Sequence, residues 1–172
     1  YYCWKKQSFC FKNYKIIYQC NAIIEGVTKS NVINEEEKKR FIGEAQFVRT
    51  LIYFYLTQVF GEIPYTTTTD YNINNRLPKK NQQVLNSILL KDAEETLENL
   101  TIGSTSAVEN IRASKHAAET LLAKIHLYLG NWSEAIVFSD MVINNSLFNL
   151  EEDINKVFLK ESKGTILQLK SG

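Results

Sequence analysis

Apolar residues recur along this chain in steps of three and four, seldom in alternation, and that rhythm predicts helices along most of its length. Ile16, Cys20, Ile23 and Val27 mark one stripe, broadened by Ile17 and Ile24, so an amphipathic helix is expected over about residues 9 to 28. Asn34 then stands as an N-cap before Glu35, Glu36 and Glu37, an acidic first turn that complements the helix dipole. The helix it opens carries Phe41, Ala45, Val48, Ile52, Tyr55 and Val59 as its expected core face. It should end at Phe60-Gly61, with Pro64 preventing continuation. Residues 61 to 80 form one long polar stretch, with four consecutive threonines and several Asn, and loops of this length are functional or mobile. A third helix is expected from about Asn81 to Leu100, with Leu85, Ile88, Leu89, Ala93, Leu97 and Leu100 on one side.

After the Gly103-Ser104-Thr105-Ser106 linker, Ala118, Leu122, Ile125 and Leu129 form a stripe that ends at Gly130, and Asn131-Trp132-Ser133 starts another helix at once. Ala135, Phe138 and Val142 make the inner face of that helix, up to Asn144-Asn145. Small residues at Ala118, Ala123 and Ala135 allow close approach of two antiparallel helices over about 113 to 130 and 132 to 145. The pattern resembles a tetratricopeptide repeat through Ala123, Gly130, Trp132 and Ala135, with Trp132 expected inside the hairpin. His126 and Ser139 depart from that pattern, which prefers Tyr and Phe there. Further on, Thr165-Ile166-Leu167-Gln168-Leu169 alternates and is expected to be one short strand.

Composition narrows the function classes. The 172 residues are 44% hydrophobic and 23% charged, the balance of a globular domain, and 20 Lys+Arg against 19 Asp+Glu leave a net charge of +1. Nucleic acid or an anionic membrane is therefore not an expected partner on charge grounds. Seven Gly and two Pro are too few for a many-stranded β fold. No run of about eighteen apolar residues is long enough to span a bilayer. Cys3, Cys10 and Cys20 have no Cys-x-x-Cys spacing or neighbouring His, which argues against zinc, and Cys20 is expected to be a small buried hydrophobe. The chain opens on Tyr1 without an initiator Met or a leader, as a processed chain or a fragment would.

For catalysis the inventory is thin. His116 and His126 lie ten apart on one helix and point about 80° apart, so they cannot converge. There is no nucleophile elbow, phosphate loop or His-Glu-x-x-His, and runs such as Glu94-Glu95 read as solvated faces. No catalytic residue, metal ligand or cofactor is expected. Arg49 lies on the inner side of its helix, either packing its stem on the core and pairing with a carboxylate or clamping a ligand carboxylate. Glu44 is expected at the surface or paired with Arg40. Sugar recognition needs flat apolar faces beside groups that take hydroxyls, a mixture found between Tyr65 and Arg76 and again among Tyr1, Tyr2 and Trp4. Tyr2, Trp4, Tyr65, Tyr71, Asn72 and Asn74 are accordingly the candidate carbohydrate-binding residues, although tyrosines on such a loop also serve as packing.

Three blocks in register, carried by Tyr14, Ile17 and Asn21, by residues 43 to 64 and by residues 115 to 132, resemble the SusD/RagB family of outer-membrane nutrient-binding lipoproteins. Tyr14, Ile17 and Asn21 match an aromatic-x-x-Ile-x-x-x-Asn helix. Gly43 to Thr50, Tyr53-Phe54 and Phe60-Gly61-Glu62-Ile63-Pro64 match a run usually seen as GEARFLRA, YF and FGDxPL. Lys115, Ala117-Ala118, Leu121-Leu122-Ala123 and Tyr128 to Trp132 match a third block. Gln46, Thr50 and His116 depart from the usual Arg, Ala and Ala, all on helices that would be scaffold. The resemblance implies an all-α fold of antiparallel hairpins with tetratricopeptide-like packing and at most a short strand near the C-terminus. It implies one helical domain over 1–172, lacking the family's leader and C-terminal half.

By the same resemblance the function would be non-catalytic binding of an oligosaccharide or other nutrient. The protein would sit at the cell surface on the outer membrane and deliver its ligand to a TonB-dependent transporter of the SusC type. Its membrane contact would come only through an N-terminal lipid anchor absent from this sequence. The alternative is a tetratricopeptide-like protein-interaction module without glycan binding. Although the family binds glycans, this chain by itself is expected to bind them weakly or not at all and to self-associate.

Overall fold

The computed structural model describes residues 2–101, 111–159 and 162–168, with side chains in the first helix described from Ser8 onward. Five long helices follow one another: α1 (Tyr2–Lys29), α2 (Glu35–Phe60), α4 (Gln82–Thr101), α5 (Lys115–Leu129) and α6 (Trp132–Ile143). A one-turn α3 (Tyr71–Asn74) lies between two-residue strands β1 (Ile63–Pro64) and β2 (Lys79–Lys80), and a 3-10 turn spans Ile154–Lys156. The principal packing runs α1 on α2, α2 on α4, α4 on α5 and α5 on α6, so the chain is a row of helices with hairpins at both ends.

Local chemistry sets the boundaries. Asn34 accepts the Glu37 backbone N–H at 2.9 Å while its amide donates to the Glu37 carboxylate at 2.9 Å, a reciprocal cap that starts α2. Gly61 ends the same helix at φ 72°, and Gly130 ends α5 at φ 80°, both conformations that a side chain would strain. Asn81 caps α4 by accepting the Val84 N–H at 2.9 Å, and Ser114 caps α5 by accepting that of Ala117 at 3.3 Å. Gly43 serves a different need. A Cβ there would stand 3.0 Å from both Asn99 Cβ and Leu100 Cδ2, so its absence lets α2 and α4 approach closely.

Ile17, Tyr53, Leu85, Leu89, Leu122 and Ile125 are among the fully buried residues of one continuous core. Cys20 is buried and free, as expected, and Cys10 is also free. Ala118 on α5 and Ala135 on α6 are both buried. His126 is buried too, its ring stacked on Phe138 at 5.4 Å, which is how the hairpin fills the position that departs from the repeat pattern.

Four sequence expectations are corrected. On α2, Val48, Tyr55 and Val59 are exposed; the buried residues include Gln46, Arg49, Thr50, Tyr53 and Thr57. The reason is that α2 is flanked by α1 and α4. Its buried arc spans about 200° and is centred far from the apolar stripe; Asn99, Asn21 and Thr66 supply partners for Gln46, Arg49 and Tyr53, whereas the Thr50 and Thr57 hydroxyls have no hydrogen-bond partner among the described residues. Trp132 is 63% exposed, because it opens α6 on a shoulder turned away from α5 while Ala135 and Val142 face inward. Residues 165 to 168 are irregular, with Ile166 and Leu167 packed against the core and no strand beside them; Leu169 lies outside the described residues. The strands are instead β1 and β2, antiparallel, with Ile63 opposite Lys80 and Pro64 opposite Lys79. Glu44, finally, lies in a surface contact as one of its two readings had it, but its partner is Arg112, in a two-pronged contact at 2.9 and 3.1 Å, and not Arg40.

Candidate functional site

The first part of the long polar stretch between α2 and α4, residues 64 to 69, is tied to three helices, and the largest set of ties comes from one face of α1. Tyr14, Asn21 and Glu25 lie at positions i, i+7 and i+11 there, a spacing that stacks them on the side facing the stretch. Tyr14 donates its hydroxyl to the Pro64 carbonyl at 2.6 Å. Asn21, fully buried, donates from Nδ2 to the Thr66 and Thr68 carbonyls, each at 3.4 Å. Glu25 accepts from the Thr68 hydroxyl at 3.0 Å, the Thr69 N–H at 2.8 Å and the Thr69 hydroxyl at 2.6 Å. Those three donors hold the Glu25 carboxyl below its ordinary range, the Thr69 hydroxyl contributing most.

From α2, the Tyr53 hydroxyl accepts the Thr66 N–H at 2.9 Å and donates to the Thr66 carbonyl at 3.1 Å. The ring of Tyr65 packs on Tyr53 at 4.9 Å and its hydroxyl donates to the Asp92 carboxylate on α4. Arg49, 5% exposed, donates from Nη1 to Asn21 Oδ1 at 2.9 Å, while its Nη2 lies 3.9 Å from Asp92. Burial raises the Asp92 carboxyl above its ordinary range, a shift that the Tyr65 hydrogen bond and the Arg49 charge partly oppose. Burial also raises the hydroxyls of Tyr14, Tyr53 and Tyr65, so all three remain donors at neutral pH. Arg49 thus takes the scaffold role of the two readings open from sequence: a buried guanidinium between an amide and a carboxylate.

Between α1 and this stretch lies a cleft of about 210 Å³, lined by Tyr14, Ile17, Tyr18, Asn21, Pro64, Thr66, Thr68, Asn74 and Leu77. Beside it, Asp70 caps the single turn α3 by accepting the Asn72 N–H at 2.8 Å. Tyr71 on that turn is 73% exposed and Asn72 is exposed. Asn74 turns back, donating to the Thr68 carbonyl at 2.9 Å and accepting from the Thr66 hydroxyl. Of the sequence candidates, then, Tyr71 and Asn72 face solvent, Asn74 lines the cleft, and Tyr65 is packed between Tyr53 and Asp92. Tyr2 and Trp4 lie on the first turns of α1, ahead of the described side chains.

The sequence pattern does not mark the anchors Glu25, Tyr53 and Asp92 as site residues. The legible signal was Glu25 four residues after Asn21, one turn further along the same face. Among the described residues no group of three His, Cys, Asp or Glu could hold a metal ion. His116 pairs with Glu119 at 3.0 Å, and its other ring nitrogen lies 3.3 Å from the Asn145 amide. His126 meets Asn131 at 3.3 Å, so the two histidines serve separate contacts. No helix among the described residues is long and apolar enough to cross a membrane.

Residues 3–127 match the SusD-like family described as "Starch-binding associating with outer membrane". The SusD-like protein P25 of Formosa agariphila is 27% identical over 146 residues, 84% of this chain and 28% of that protein. A SusD-like protein of Bacteroides ovatus is 24% identical over 123 residues, 70% of this chain and 22% of its own length. Among solved structures, a SusD-like protein from Bacteroides fragilis superposes with a TM-score of 0.84 at 23% identity, covering 96% of this chain and 34% of that one. A laminarin-binding SusD-like protein superposes at 0.74 and 21% identity, covering 87% and 34%. The chain therefore spans well under a third of the length of these curated relatives.

Proposed function

Because this chain belongs to the SusD-like family, whose description joins starch binding to the outer membrane, we propose that it serves non-catalytic capture of oligosaccharide at the bacterial surface. The captured glycan passes to a TonB-dependent transporter of the SusC type, from a protein held on the outer membrane by a lipid anchor. Within the chain, the exposed ring of Tyr71 offers a face for the C–H side of a pyranose, and Asn72 beside it offers an amide for hydroxyls. Asn74 positions that turn, Tyr65 fixes its approach from the core side, and Tyr2 and Trp4 are further candidate contacts. The observation that carries this reading, beyond the family match, is the presentation of Tyr71 and Asn72 on a turn that Asn74 ties to residues 65 to 69, themselves clasped by three helices.

The test is a backbone-amide NMR titration of the chain with laminarin and maltose oligosaccharides. Weak saturable shifts centred on Tyr71 to Asn74, lost in Tyr71→Ala, are expected. Shifts that never saturate with any oligosaccharide would end the assignment of glycan contact to this chain. A second reading, a tetratricopeptide-like protein-interaction module, is favoured by the exposed Trp132, Ile136 and Ile143 on α6. It would gain if Trp132→Ala abolished capture of a protein partner while sugar left the protein unchanged.

A further inference from the structure

We infer that the cleft between α1 and the clasped stretch is a subsite for one 6-deoxyhexose residue, a sugar whose C6 is a methyl group. The inference rests on the glycan reading above and names the class of sugar that this chain takes. Size is the first argument. About 210 Å³ is below the roughly 300–1,000 Å³ of pockets for drug-sized ligands, so a single pyranose fits and an extended oligosaccharide does not.

Chemistry is the second argument, because the polar groups of the deeper wall are already engaged. The Tyr14 hydroxyl donates to Pro64, both protons of the Asn21 amide go to Thr66 and Thr68, and its oxygen takes Arg49. The Thr66 hydroxyl donates within the stretch, and that of Thr68 donates to Glu25. Asn74 is bonded through both its oxygen and its nitrogen. Ile17 and Pro64 complete the wall with carbon, half-buried Leu77 adds carbon at the rim, and Tyr18, half exposed, brings to the mouth a hydroxyl without a partner among the described residues.

A hydroxymethyl group pushed into such a wall loses its water and meets groups already engaged, left with one Asn74 amide proton and spare oxygen lone pairs to compete for, whereas a methyl group loses nothing and gains contact. The ring hydroxyls of the same sugar stay at the mouth, within reach of Tyr18 and of solvent. A sugar that is apolar at C6 and polar elsewhere is therefore the class that matches both ends of the cleft.

Sugar pairs differing by one oxygen test this directly: methyl α-L-rhamnopyranoside against methyl α-L-mannopyranoside, and methyl α-L-fucopyranoside against methyl α-L-galactopyranoside. Each is titrated into the full chain by backbone-amide NMR, with saturation-transfer spectra of the ligand. At least one deoxy sugar is expected to bind tenfold or more tightly than its 6-hydroxy counterpart, about 1.4 kcal/mol. Its strongest saturation should fall on the C6 methyl, with shifts at Ile17, Tyr18 and Leu77. Leu77→Asn, at a half-buried rim position, should cut that preference below threefold while the amide spectrum stays folded.

Equal binding within both pairs, or preference for the 6-hydroxy member, overturns the inference. So does tighter binding of N-acetyl-leucinamide, which would make the cleft an acceptor of protein side chains. Oligosaccharide shifts at Tyr71 without any shift in the cleft would end this subsite and leave the glycan reading standing. No saturable shift with any sugar would end both.

Discussion

Replacing Arg49 with Met should separate the buried pair that links α2 to α4. Arg49→Met keeps the length of the stem but strands the Asp92 carboxylate and takes the donor away from Asn21 Oδ1. Breaking one side of a buried pair costs about 3–5 kcal/mol. Asp92 has an escape, since it can take up a proton and keep its contact with Tyr65. Protonating an ordinary aspartate costs about 4 kcal/mol at pH 7 and about 1.5 kcal/mol at pH 5, which caps the charge penalty at each pH. The unpaired Asn21 oxygen adds about 1 kcal/mol or more at both.

The sign follows from linkage. Because the folded-state pKa of Asp92 is raised, its contribution to stability is fully present below the unfolded value and is lost as pH rises through the folded one. Removing the Arg49 charge raises that folded value further, so the variant loses more than the parent as pH rises. Urea denaturation at the two pH values should show a loss of about 3–5 kcal/mol at pH 7 and at least about 1 kcal/mol less at pH 5. Adding Asp92→Asn should recover part of the pH 7 loss and flatten the pH dependence. An equal loss at both pH values, or a loss under about 1 kcal/mol at pH 7, would refute the stranded-charge account.

Three further outcomes are expected. Gly43→Ala sets a Cβ against Asn99 Cβ and Leu100 at 3.0 Å, and the overpacking should cost about 1–3 kcal/mol in thermal or urea melts. The Thr69 amide should report the Glu25 titration, with a midpoint below the ordinary value of 4.5; the clasp is present above that value and lost as pH falls through the lowered one, and Glu25→Gln should abolish the midpoint. The chain should gain mass with concentration in sedimentation equilibrium, and Ile136→Glu on the exposed shoulder of α6 should reduce that gain while a surface change on α4 such as Lys91→Glu does not.

The helices were legible where local signals and packing agree. Asn34 with its acidic turn and Phe60-Gly61 bounded α2 at the residues observed, because capping is written in a few consecutive side chains. The inner face of α2 was not legible in the same way. Apolar periodicity favours Val48, Tyr55 and Val59, whereas the fold buries Gln46, Arg49 and Thr57 against helices distant in sequence. Gln46 is a case in point: its side chain accepts from Asn99 at 2.8 Å, a partner 53 residues away that no window along α2 contains. For the site, the polar mixture near Tyr71 could be read directly. The anchoring of that mixture through Glu25 and Tyr53 depends on how α1 and α2 are placed.

The clasp on residues 64 to 69 also sets when the entropy of this region is lost. Fixing a residue's backbone costs about 1–2 kcal/mol, so holding the four residues of α3 in one conformation costs about 4–8 kcal/mol. A floppy loop would forfeit that amount at each encounter, a factor of about a thousand to a million in affinity. Here Asp70 caps the turn and Asn74 ties it to Thr66 and Thr68, which Tyr53 and Glu25 hold in turn, so the cost falls during folding, when the burial of the helices offsets it. A ligand arriving at Tyr71 therefore meets a surface whose freedom has already been spent, and even a few shallow contacts can register as binding.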